Sequence, residues 1–162
     1  MANPKLKPEP SLYERDFQAW LQDQAEKLRA RSHSDLDWDN LAEEVESVGR
    51  SQKTEVRKRL GVLIQHLLKW EFQPERRGES WLTTITEQRL HIEGAIEDSP
   101  SLKNYPEEAL NWTYRWAIRH AAREIGPDPR RLPQVAPYSA AEAMDEDFFP
   151  GSPWTPGEIL RD

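Results

Sequence analysis

An all-α fold, a helical bundle of about four main helices with one long helix (about 38–71), a short C-terminal helix and a proline-rich arm, is predicted by three features of this sequence. No stretch alternates apolar and polar residues as a half-buried strand would. From Trp38 to Trp70 the apolar residues keep a single phase at about 100° per residue, the signature of one helical face. Helix start and stop signals divide most of the remaining chain into segments of helical length.

The chain has 162 residues, enough for one core, since a domain of that size buries roughly 70% of the surface its unfolded chain exposes. The expected organisation is a flexible tail over 1–10, a single domain over 11–150 and an extended tail over 151–162. Charged residues make up 31%, but seven Trp, four Tyr and four Phe supply large apolar area, so the polar character must collect on solvated faces. A net charge of −7 gives no attraction for phosphate backbones or anionic membranes, which disfavours non-specific nucleic-acid binding. The absence of Cys excludes disulfides, thiolate metal sites and Cys nucleophiles. The opening MANPKLKPEP has no apolar core of a signal segment, and no apolar run is long enough to span a bilayer. A soluble cytoplasmic protein with no membrane partner is expected.

In order along the chain, Ser11 begins a capping box with Glu14, starting a helix over about 12–31 with Leu12, Phe17, Trp20, Leu21 and Leu28 as buried candidates. HSDLD is a turn, and Asp37 caps the long helix. Its stripe runs Leu41, Ala42, Val45, Val48, Val56, Leu60, Leu63, Leu67, Trp70, and Gly49 lies within it without interrupting its phase. Pro74 ends the helix and turns the chain over 73–79. Ser80 caps a third helix over about 81–97, with Trp81, Leu82, Ile85, Ile92 and Ile96 inward. A fourth starts near Tyr105, with Pro106 and two Glu in its first turn, and stops at Gly126-Pro127. S-A-A-E at Ser139 signals a short helix.

Function in a bundle concentrates where polar side chains enter an apolar stripe, because a buried charge needs a partner. On the long helix Gln52, Arg59 and His66 lie on one line, with Glu44 and Glu55 beside it. On the third helix Arg89 falls between Ile85 and Ile92, with Gln88 at the edge. On the fourth His120 sits at the stripe centre, one turn before Glu124. Each has an ordinary structural reading: Glu55 and Arg59 form an i,i+4 pair, His120 is a core histidine bonded to Glu124 or a carbonyl, and Arg89 belongs to a buried ion pair with a carboxylate of the long helix or its terminal turn. Arg76 and Arg77, following His66 after one turn, are expected to be the exposed part able to meet an anion or partner. Paired E-x-x-H motifs for a carboxylate-bridged metal are missing, as are the nucleotide-binding, nucleophile-elbow and zincin signatures, so no metal or cofactor is expected.

LYERDFQAWL, LDWDNLAEEVESVGRS, HLLKWEFQPERR, the SW followed by TITEQR, DSPSL and PYSAAEAMDEDFFP occur in this order, and with them the chain resembles the bacterial domain-of-unknown-function family twenty-nine over about residues 11–150. The resemblance implies an α-helical fold and no assigned activity. The positions matching its motifs include Asn40, Glu43, Glu44, Gly49, Arg50, His66, Trp70, Gln73, Pro74, Glu75, Arg76, Arg77, Trp81, Gln88 and Arg89, while Gly78-Glu79 departs from the small polar residue usual after the arginines.

Two functions remain open at this stage. One is a helical interaction or accessory protein holding an unknown protein partner. The other is an enzyme or a protein binding a small anionic ligand, with a site between the long helix and the third helix formed from Glu44, Arg59, His66, Arg76, Arg77, Gln88 and Arg89; His66 would be the acid/base and the arginines 76, 77 and 89 the anion clamp.

Overall fold

A computed structural model describes residues 9–126 and 132–159, so most of the expected N-terminal tail and the last three residues of the C-terminal tail lie outside the described residues. The described residues are helical, without a strand among them, and form an all-α bundle. None of their helices is both long and apolar enough to cross a membrane. The chain divides between Arg50 and Ser51 into two compact units.

In the first unit the helix expected over 12–31 is two helices, α1 (Leu12–Arg15) and α2 (Phe17–Arg29). Ser11 and Glu14 form the capping box as expected, but Asp16 leaves helical angles (φ −152°, ψ 86°) and caps α2, its carboxylate accepting from the Ala19 amide at 3.0 Å. An Asp able to bond the backbone three residues on offers an alternative to the helical ladder, and here that alternative wins. Phe17 and Leu28, expected inside, are exposed; Trp20 is buried. Phe17 stacks on Trp20, and Tyr13 meets both rings edge-on. The Trp20 indole N–H donates to Asp37 at 3.2 Å, and the Gln24 side-chain oxygen accepts from the Asp37 amide at 2.8 Å. Asp37 caps the long helix α3 (Trp38–Phe72), accepting from the Asn40 amide and side chain. Those Asn40 bonds, aided by the Trp20 indole and opposed by burial, hold its carboxyl below the ordinary value. Helix α3 is continuous through Gly49, as the unbroken phase predicts.

In the second unit the later turns of α3 are buried on nearly every side, from Leu60 to Trp70 with only Val62 and His66 partly open. Helix α4 (Glu79–Asp98) runs back along α3, with Trp81 beside Lys69 and Gln88 beside Arg59. Helix α5 (Tyr105–Ile125) runs parallel to α3, its Tyr105, Trp112 and Glu124 meeting Lys53, Arg57 and Gln65 in turn. The core joins Leu60, Leu63, Ile64, Leu67, Leu68 and Trp70 of α3 to Ile85 and Ile92 of α4 and Leu110, Tyr114, Ala117 and Ala121 of α5. Alanines on α5 let it approach α3 closely. Two boundary details differ from expectation. Helix α4 begins after extended Gly78, with no side-chain cap, so Ser80 lies within its first turn rather than capping it. Its partner Trp81 is only partly buried, whereas Trp70 is fully enclosed.

Helix α6 (Ala140–Met144) begins with the expected capping box of Ser139 and Glu142, and Glu107 of α5 accepts from the Ala140 amide at 2.8 Å. Beyond it the arm does not stay extended. Pro156–Ile159 forms one helical turn, α7, and Phe149 and Trp154 pack on Trp70 with centroids 5.1 and 4.9 Å away. Gly151, at φ +91°, passes so close to the end of α3 that a Cβ would lie 3.1 Å from the Glu71 Cα, so any larger residue would be both strained and crowded there.

Candidate functional site

Arg89 is where the sequence reading and the structure part most clearly. It is 4% exposed, yet it does not pair with a carboxylate of α3. Its guanidinium donates instead to the backbone carbonyls of Ala143 (2.9 Å), Glu146 (3.1 Å) and Phe148 (2.6 Å), and lies over the Phe149 ring. The last turn of α6 leaves carbonyls without helical partners, and a planar fork of donors satisfies several at once. Burial lowers the Arg89 pKa, while Asp145, Glu93, Asp147 and Glu146 support its charge. Arg77 works in the same way, donating to the Trp70 carbonyl at the end of α3 and to the Ser152 carbonyl, both at 2.8 Å. Two of the three arginines expected to clamp an anion therefore fasten the C-terminal arm.

His66 sits apart from them in a different cluster. Its Nδ1 lies 2.9 Å from the Val62 carbonyl oxygen, which can only accept, so Nδ1 carries the proton and Nε2 the lone pair. Burial pushes the imidazole below its ordinary pKa; the Val62 bond and Glu124 oppose this and Lys69 reinforces it. One turn on, Lys69 is buried at 5% exposure, paired with Glu124 of α5 and lying over the Trp81 ring. Gln65 donates to the other Glu124 oxygen at 2.7 Å. Burial pushes the Glu124 carboxyl up, but Lys69, His66 and Gln65 outweigh it and the group ionises more readily than usual. Arg76 reaches the Glu124 carbonyl at a long 3.5 Å. Lys69, Gln65 and Glu124 were not among the expected site residues. Lys69 falls off the stripe on the wheel, and only the helix's burial on nearly all sides brings it inside.

The remaining expected residues lie elsewhere. Arg59 bonds Glu55 at 2.7 Å, the expected i,i+4 pair, and reaches Gln88 at 3.5 Å. Glu44 belongs to the first unit, where it accepts from Tyr13 at 2.6 Å and pushes that phenol up to about 12. His120 does not bond Glu124; it is half-buried and stacks on Trp116, because Glu124 turns to Lys69. Of the expected set, Arg59 and Gln88 are thus brought together, His66 and Arg76 each interact with Glu124, Arg77 and Arg89 hold the arm, and Glu44 lies in the first unit.

The second candidate is apolar and lies on the opening turns of α3. Val45 and Val48, expected inside, are 72% and 64% exposed, and Trp38 at the start of the helix is 55% exposed. The other elements of that unit meet α3 at its polar flank, by way of Asp37 and Glu44, and at Trp38, whose indole stacks on His33 and donates to the His33 carbonyl at 3.1 Å; Val45 and Val48 stay open. Residues 38–49 carry four carboxylates and no cation, and residues 11–50 carry ten carboxylates against five cations.

A family model described as "Domain of unknown function DUF29" matches residues 12–149. No curated protein and no solved structure matches the chain.

Proposed function

The chain belongs to the DUF29 family, and from that premise we propose that it is an interaction protein which holds a partner on the first turns of α3. The observation that carries this reading is the open stripe of Trp38, Val45 and Val48 on a helix whose later turns bury the same phase. An amphipathic helix lays apolar residues spaced by three and four into such a face. The carboxylates at 39, 43, 44 and 46 select the sign of its flanks, so the occupant is a basic amphipathic helix of another protein. Arg77, bound to the Ser152 carbonyl, and Arg89, bound to those of Ala143, Glu146 and Phe148, support a scaffold more than an anion site. The test is a photo-crosslinking side chain at Val45, with another at exposed Glu87 of α4 as control, in the cells that make the protein. Val45 should capture one protein through a basic helical segment, and Glu43→Lys with Glu46→Lys should abolish the capture. Equal yields at both positions, or links only to a second copy of the chain, would refute the reading.

A further inference from the structure

The second unit contains a cleft between α3 and α5 that none of the features above uses. It has a volume of about 440 Å³ and is lined by Thr54, Arg57, Lys58, Val62, Trp112, Thr113 and Trp116. That volume falls in the range of roughly 300–1,000 Å³ occupied by small-molecule sites. We propose that this cleft binds a small planar aromatic carboxylate, its ring against the indoles of Trp112 and Trp116 and its carboxylate at Arg57 and Lys58.

Three observations lead there. First, one wall is preformed. Gly61 faces Trp116 so closely that a Cβ would come 2.9 Å from its Cε3, and His120 stacks on the same indole at 4.0 Å between centroids. An indole held by a glycine and an imidazole presents a fixed flat surface, and a fixed surface loses little entropy when a ring docks. Second, the rim is cationic although the chain as a whole is acidic. Arg57 lies 4.2 Å over the Trp112 ring, with Lys58 adjacent, and among the described residues neither has a carboxylate at ion-pair distance. Arg59, next along, is by contrast neutralised by Glu55. Third, the lining is mainly apolar: Val62 and the two indoles face the cleft, while the Thr113 hydroxyl is closed off from it. Apolar walls select a ring, flat indole faces select a flat one, and two unpaired cations select an anion that accepts bidentate bonds.

The experiment titrates the full chain with naphthalene-2-carboxylate and follows ¹H–¹⁵N spectra, with naphthalene-2-carboxamide and acetate as separate arms. The carboxylate should move the indole N–H signals of Trp112 and Trp116 saturably, the amide should bind about tenfold more weakly, and acetate should not saturate. The double variant Arg57→Gln, Lys58→Gln changes two surface side chains, and its fold is checked from the same spectra. In it the carboxylate should fall to the affinity of the amide while the amide is unchanged. Equal binding of amide and carboxylate by the unaltered protein, no saturable shift, or shifts centred on Trp38 and Val48 would each overturn the proposal.

Discussion

The opening turns of α3 and its closing turns carry the same hydrophobic phase and meet opposite fates. Val45 and Val48 stand in solvent, while Leu60, Leu63 and Leu67, on the same stripe, are fully enclosed. Periodicity fixes which side of a helix is apolar, but burial depends on what other elements bring to that side. The closing turns receive α4, α5 and the arm. The opening turns are met on their polar flank, where Tyr13 and Trp20 bond Glu44 and Asp37.

The largest expected effect tests that contrast directly. Trp70→Ala should remove about 3 to 5 kcal/mol from the unfolding free energy, whereas Val48→Ala should change it by no more than about 0.5 kcal/mol. Urea denaturation of both variants measures the difference, and comparable losses would mean that the opening stripe is covered. Next, Arg89→Ala leaves three backbone carbonyls without their donor inside the protein. A loss of about 2 to 5 kcal/mol is expected, with faster amide exchange over 143–152 than elsewhere. Uniform exchange would show that Arg89 does not hold the arm.

The two helical glycines of α3 sharpen the comparison further, since one substitution should have opposite signs at the two sites. A Cβ at Gly49 meets nothing within 4 Å, so Gly49→Ala should stabilise by about 0.5 to 1 kcal/mol. At Gly61 the Cβ meets Trp116, and Gly61→Ala should destabilise by about 1 kcal/mol. Melting temperatures moving in the same direction would contradict this.

The smallest effect concerns pH. The folded-state pKa of His66 lies below its ordinary value, so the unfolded chain binds its proton first and stability falls as pH drops below about 6.5. His66→Gln should flatten that part of the stability profile between pH 7 and 5; a profile unchanged by the substitution would place the acid sensitivity elsewhere.

The parts of the fold legible in the sequence were those governed by neighbouring residues. The capping boxes at Ser11 and Ser139, the Asp37 cap, the length of α3 and the stop at Gly126 are all local chemistry. Asp16 was locally legible too, but a helical phase on both sides of it concealed the break. Arg89 was recognised as a buried cation in need of partners, yet its partners are main-chain carbonyls more than fifty residues on, which have no side-chain signature to read. The Lys69–Glu124 pair escaped notice for a related reason: Glu124 was read as the partner of His120, and Lys69 looks solvated until α3 and α5 are set side by side.

The fastening of the arm also imposes an order in time. Arg77 and the carbonyl it binds at Ser152 are separated by 75 residues. A ribosome adding about 5 to 20 residues per second delivers the second roughly 4 to 15 s after the first. Over that interval Trp70 has neither Phe149 nor Trp154 against it, and the nascent chain displays an indole that the finished protein hides completely. Chains arrested on the ribosome before residue 149 should therefore show a more solvent-exposed Trp70 and a protease-sensitive end to α3, and the arm's arrival is what covers both.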